Sequence, residues 1–114
     1  MRSEALLLDD LLDAARRLLE LGGRDDGPLG ENRDRDEAIL FNVMLMGEGA
    51  RRVSPRTRER FPEIPWREMA GTRDRVIHHY EGVDWTVLGE IIATDLPPLV
   101  PKLQSVRDLV AGEL

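Results

Sequence analysis

The chain has 114 residues, enough to enclose one hydrophobic core and too few for two. It contains no cysteine, which excludes a disulfide framework, a thiolate zinc site and a thiol nucleophile together. The net charge is −6, opposite in sign to a domain drawn to nucleic acid by charge alone, yet the halves differ: residues 1–50 carry 6 basic and 12 acidic side chains, residues 51–114 carry 10 of each.

In chain order, Met1-Arg2-Ser3-Glu4 leads into an aspartate-rich stretch instead of an apolar leader. No apolar run reaches the roughly 18 residues of a membrane span, so a cytoplasmic location is expected. From Glu4 to Leu21, the residues Leu8, Leu11, Leu12, Ala15, Leu18 and Leu19 recur at helical spacing and predict an amphipathic helix that Gly22-Gly23 ends. Segment 24–33 is polar, broken by glycine and proline, and predicts a mobile loop. A second helix is expected from about Asp34, with Asp36 and Glu37 in its first turn, to about Val53. Its section from Ala38 to Ala50 is apolar on nearly every face, interrupted by Asn42 and Glu48, so this helix should lie centrally or be shared with a second subunit. Gly47 and Gly49 would admit another backbone at close range.

Ser54-Pro55 reads as an N-cap followed by proline in the first turn of a short arginine-faced helix, which Pro62 ends. Pro65 opens a further helix carrying Trp66, Met69, Ala70, Val76 and Ile77 and fading at Tyr80-Glu81-Gly82. Asp84 caps the next, with Trp85, Val87, Leu88, Ile91 and Ile92. Pro97-Pro98 marks the last helix, whose Leu99, Leu103, Val106 and Val110 share one face, with a kink or late start at Pro101. There is no repeat and no strand alternation. The expectation is an all-α antiparallel bundle of four to six helices, a single domain over residues 1–114.

Both histidines, His78 and His79, adjoin the only tyrosine, Tyr80, with Arg73 and Arg75 just upstream. An imidazole can accept and donate protons near neutral pH, and a guanidinium is a permanent cation suited to a phosphate or a developing oxyanion. RNA carries its own nucleophile, the ribose 2′-OH. A protein need only take its proton, stabilise the phosphorane and protonate the leaving 5′-oxygen, so neither a metal nor another cofactor is required. Arg73 would hold the non-bridging oxygens and His78 would move one proton, with a symmetry-related histidine or a water moving the other. On a regular helix, however, Arg73 and Tyr80 are nearly in line while His78 lies about 140° round from Arg73. Either the helix unwinds near His78, or a dimer brings side chains of two copies together. The dimer is the favoured expectation.

The run from Arg73 to Tyr80 fits R-x4-H-x-Y and resembles the motif of HepT-like proteins of the HEPN superfamily, with Arg73, His78 and Tyr80 on the motif positions. Met46-Gly47-Glu48-Gly49-Ala50 resembles that family's I-G-E-A-A segment, and Glu63-Ile64-Pro65-Trp66 its P-E-I-P-W stretch. Gly82-Val83-Asp84 and Asp95-Leu96-Pro97 fall where the family has G-I-D and D-L-P, so the resemblance runs from about residue 38 onward. It implies a helical HEPN fold, usually dimeric, with the motif in a cleft at the dimer interface. It also implies a metal-independent endoribonuclease toxin of a type VII HEPN/MNT toxin–antitoxin pair. The partner would be a minimal nucleotidyltransferase antitoxin that inactivates the toxin by attaching AMP to the motif tyrosine, here Tyr80. Two positions depart from the pattern: Asp74 follows the arginine where many relatives have asparagine, and Gly49 stands for an alanine.

The candidate supporting residues are Asp74, His79 and Glu48. His79 reads as a solvated neighbour able to touch RNA. Glu48, alone in an apolar stretch, is expected to be a buried acceptor that orients Arg73 or another arginine. Arg51, Arg52, Arg56 and Arg58 form the candidate contact for an RNA backbone or an acidic antitoxin. Trp66 and Trp85 read as core or interface anchors. The competing reading is a non-catalytic helical module that binds a nucleotide or a protein. The acidic net charge favours that module, and the intact Arg73 and His78 favour the nuclease.

Overall fold

Capping and apolar periodicity account for the first long element. In the computed structural model, which describes residues 3–113, helix α1 (Glu4–Gly22) starts at Ser3, whose hydroxyl accepts the Leu6 N–H. Leu8, Leu11, Leu12, Ala15 and Leu18 are buried along its inner stripe, and each such leucine contributes about 1.5–3 kcal/mol by leaving water. The helix ends where the Gly23 N–H returns to the Leu19 carbonyl.

Helix α2 (Arg33–Arg52) begins at Asn32 and not at Asp34. The Asn32 side chain accepts the Arg35 N–H, and the Asp36 carboxylate reaches back to the Asn32 N–H, so two otherwise orphaned donors are satisfied reciprocally. Ile39, Val43, Met46 and Ala50 face the core, whereas Phe41, Met44 and Leu45 remain 59, 52 and 43% exposed. The helix is therefore central on one side and bare on the other. Gly47 and Gly49 do admit close neighbours: a methyl group at 47 would meet the Ala70 carbonyl at 3.3 Å, and one at 49 would meet Leu11 Cβ at 3.3 Å.

The polar loop before α2 is present, and it has an anchor that the sequence did not reveal. Arg35 is buried; its guanidinium donates to the carbonyls of Gly27 (2.7 Å) and Pro28 (2.8 Å) and pairs with Asp36.

Ser54 caps α3 (Pro55–Arg60) as expected, while its own N–H donates to Glu4 Oε1 at 2.8 Å. The end of α2 thus lies beside the start of α1, and the two run antiparallel. The single helix expected from Pro65 to Tyr80 is two short ones, α4 (Trp66–Ala70) and α5 (Thr72–Val76), divided at Gly71. A small antiparallel hairpin that the sequence reading did not include follows, β1 (Ile77–His78) and β2 (Gly82–Val83), pairing Ile77 with Val83 and His78 with Gly82.

Asp84 then caps α6 (Trp85–Glu90) by accepting the Val87 N–H. The path continues as a π turn (Ile91–Asp95) into α7 (Leu96–Ala111), which has Pro97-Pro98 in its first turn, as expected, while Pro101 lies inside the helix and does not delay its start. The π turn slips the hydrogen-bond ladder by one residue, with the Leu96 N–H on the Ile91 carbonyl, just before two prolines that have no N–H to donate. The slip also turns both Ile91 and Ile92 inward. Ile92 lies so close to Gly22 that a Cβ there would stand 2.5 Å from Ile92 Cγ2.

Helix α1 lies between α2 and α7. Asp9 accepts from Arg107 at 2.6 Å and Arg16 donates to Gln104, an order that makes α7 antiparallel to α1. At the far end the Arg60 guanidinium pairs with Glu113 and holds that carboxyl below its ordinary range, tying α3 to the end of the chain. The fold is the expected all-α bundle. Among the described residues no helix is long and apolar enough to cross a membrane.

Candidate active site

The helix carrying Arg73 stops because Val76 and Ile77 are β-branched and because the Val76 carbonyl finds another donor. It accepts the Asp84 N–H at 2.7 Å, a place that a continuing helix would have given to Tyr80. Ile77 is extended, with φ −112° and ψ 118°. Three residues, His79-Tyr80-Glu81, then turn the hairpin, and Gly82 closes it at φ 79°, a left-handed conformation that a Cβ would strain. Gly82 and Asp84 thus act together, one closing the turn and the other capping the next helix.

His78, His79, Tyr80 and Glu81 are all exposed at this tip, and the Tyr80 side chain is wholly in solvent. The rings of His79 and Tyr80 lie 6.5 Å apart between centroids. The helix unwinds before His78, which is one of the two expected ways out of the helical offset. The unwinding also overturns the alignment of Tyr80 with Arg73 along a common helix, since Tyr80 lies four residues past the end of α5.

Arg73 is exposed on α5 and donates to Asp74 Oδ1 at 3.2 Å. It lines a cavity of about 220 Å³ together with Phe41, Met44, Leu45, Glu48 and Arg51. His78 lines a different crevice, of about 410 Å³, together with Glu81, Val83, Asp84, Trp85 and Thr86. Arg73 and His78 thus line separate cavities in the single chain.

Glu48 departs from expectation. It is exposed, not buried, and holds Arg52 at 3.2 Å and Arg51 at 4.0 Å instead of Arg73. The helical period explains this, because positions 41, 44, 45, 48 and 52 share the outward face of α2. Arg51 and Arg52 are thus partly neutralised, Arg56 is near enough to help hold the Glu113 carboxyl low, and Arg58 has no ion pair among the described residues. Arg58 lies beside Pro62, Ile64 and Trp66 with its Nε buried and unbonded. Trp66 is a core anchor as expected, its indole N–H donating to the Phe61 carbonyl at 2.9 Å. Trp85 is only half-buried, and with Glu81 and Asp84 it walls the crevice beside His78, a grouping the sequence reading missed. The proximity of Glu81 and Asp84 to the motif was visible, but the turn that brings them to one crevice was not.

The family described as "Ribonuclease HepT-like" matches residues 11–106. "Putative RNase MJ1380" of Methanocaldococcus jannaschii is 30% identical over 106 residues, covering 92% of this chain and 97% of that protein. "Probable ribonuclease HepT" of Thermococcus cleftensis is 39% identical over 70 residues, covering 61% of this chain and 64% of that protein. No solved structure shows significant similarity.

Proposed function

Because the chain belongs to the HepT-like ribonuclease family, we propose that it is an endoribonuclease that cuts RNA through Arg73 and His78 without a metal ion. The observation that carries this reading is the exposure of both side chains on either side of the break at Ile77, within a matched region that covers most of the chain. Arg73 binds the non-bridging oxygens of the scissile phosphate and offsets the charge of the phosphorane. His78 moves a proton at the 2′-OH or at the leaving 5′-oxygen. The products are a 2′,3′-cyclic phosphate and a 5′-hydroxyl.

The working unit in this reading is a homodimer. Phe41, Met44 and Leu45 form an uncovered apolar face on α2, and the cavity they line contains Arg73. A second copy seated on this face covers the patch and supplies the proton-transfer side chain that the cavity lacks. The runner-up, a binding module without catalysis, draws support from the Asp74 carboxylate on Arg73 and from the separate cavity of His78.

Control follows from the exposed tip. A minimal nucleotidyltransferase partner attaches AMP to the Tyr80 hydroxyl, which lies wholly in solvent and needs no unfolding to be reached. The added phosphodiester charge and adenine compete with RNA for the site and make the chain the toxin of a toxin–antitoxin pair. The alanine variants provide the test: Arg73→Ala and His78→Ala should each abolish cutting while the circular dichroism spectrum and melting temperature stay unchanged, since both side chains are exposed. Retention of full activity by either variant would remove that residue from the mechanism.

A further inference from the structure

The crevice beside His78 has more in it than the cleavage step uses. Its lining comprises His78, Glu81, Val83, Asp84, Trp85 and Thr86, with no arginine or lysine. Two carboxylates repel a phosphate, so apart from His78 the lining is unsuited to the RNA backbone that Arg73 would hold. It is suited to a group rich in N–H donors. Asp84 already spends Oδ1 on the Val87 N–H, and Glu81 has no hydrogen bond or ion pair among the described residues. Trp85 supplies an aromatic wall. That wall is fixed from behind: a Cβ at Gly30 would fall 2.8 Å from Trp85 Cδ1. Gly30 itself, at φ 93°, belongs to the loop that Arg35 holds by the Gly27 and Pro28 carbonyls.

Among the RNA bases only guanine presents two adjacent donors on one edge, N1–H and the 2-amino group, and these match the paired oxygens of a carboxylate. Adenine and cytosine set one amine beside a ring acceptor, and uracil sets one N–H between two carbonyls, so each turns a lone pair toward the carboxylate. We propose that the crevice is a guanine subsite. It takes the base of a nucleotide next to the scissile phosphate, with Glu81 accepting from N1–H and the 2-amino group and Trp85 as the aromatic wall. Its place in catalysis rests on the nuclease reading, but its base preference can be measured without any cleavage.

The test is an NMR titration of the nitrogen-15-labelled protein with guanosine 3′-monophosphate and, separately, uridine 3′-monophosphate. The Trp85 indole N–H reports binding, and the buried Trp66 indole N–H, bonded to the Phe61 carbonyl, serves as the internal reference. The Trp85 signal should move with a dissociation constant about tenfold lower for the guanosine nucleotide, the scale of one bidentate contact. Glu81→Gln, which replaces one acceptor by a donor, should bring the two constants to within about twofold. Equal constants in the unaltered protein, or a preference that survives Glu81→Gln, would overturn the subsite. Failure of the nuclease reading would show instead in the absence of cut RNA, with the nucleotide preference still in place.

Discussion

Arg73 and His78 are separated by four residues, stand on opposite sides of the break at Ile77, and open onto different cavities. A phosphodiester in reaction needs a cation at its oxygens and a proton-transfer group within hydrogen-bond reach at the same moment. The uncovered face of α2 beside Arg73 offers the simplest resolution, a second copy whose hairpin tip completes the cavity.

Two neighbouring methionines separate assembly from folding. Met44 is half in solvent and Met46 is 1% exposed. The unaltered protein should therefore elute at about twice its 12.9 kDa chain mass at micromolar concentration. Met44→Asp should elute as a folded monomer and lose RNA cutting, although Arg73 and His78 are untouched. Met46→Asp, which buries an unpaired carboxylate, should lose several kcal/mol of the about 5–15 kcal/mol that hold a domain together and should fail to fold. A monomeric unaltered protein that cuts RNA would remove the dimer from the account.

Arg35 should be a stability residue whose influence reaches the site. Arg35→Met strands the Gly27 and Pro28 carbonyls and leaves Asp36 without its cation, so a loss of about 3–5 kcal/mol is expected from the urea unfolding midpoint. The released loop no longer backs Trp85, and its indole fluorescence should move toward that of a solvated ring. An unchanged midpoint would mean that the loop is held by other contacts.

Tyr80 should matter for control and not for folding or chemistry. Tyr80→Phe should melt as the unaltered protein does and keep most of its RNA cutting, because the wholly exposed hydroxyl has no part in the proton transfers. Incubation with a cognate nucleotidyltransferase, ATP and magnesium should raise the mass of the unaltered protein by one or more AMP units and silence it, while Tyr80→Phe should escape both effects. A Tyr80→Phe protein that is still modified and silenced would place the control point elsewhere.

The features legible in the sequence are the local ones. The Leu8 to Leu18 stripe and the caps at Ser54 and Asp84 need only a few neighbouring residues, and they appear where the spacing puts them. The break at Ile77 depends on Asp84 taking the Val76 carbonyl from across a turn, and the burial of Arg35 depends on two loop carbonyls; neither partner is signalled by periodicity. Pro97-Pro98 marked the first turn of α7, but nothing in the spacing signalled the π turn that joins it to α6. Glu48 misled because the apolar run around it covers both faces of α2, and only one of them is in the core. The type and spacing of Arg73, His78 and Tyr80 were legible in the sequence, but the placement of Arg73 and His78 in separate cavities was not.

The central claim is that RNA is cut by the chain's own side chains acting on the 2′-hydroxyl. The most direct measurement is cleavage of a defined RNA by the purified, unaltered protein in excess EDTA, with the ends of the fragments identified by mass spectrometry. The account predicts undiminished cutting, a 2′,3′-cyclic phosphate on one fragment and a 5′-hydroxyl on the other. Cutting that stops in EDTA and returns with magnesium, or fragments that carry a 5′-phosphate, would contradict it.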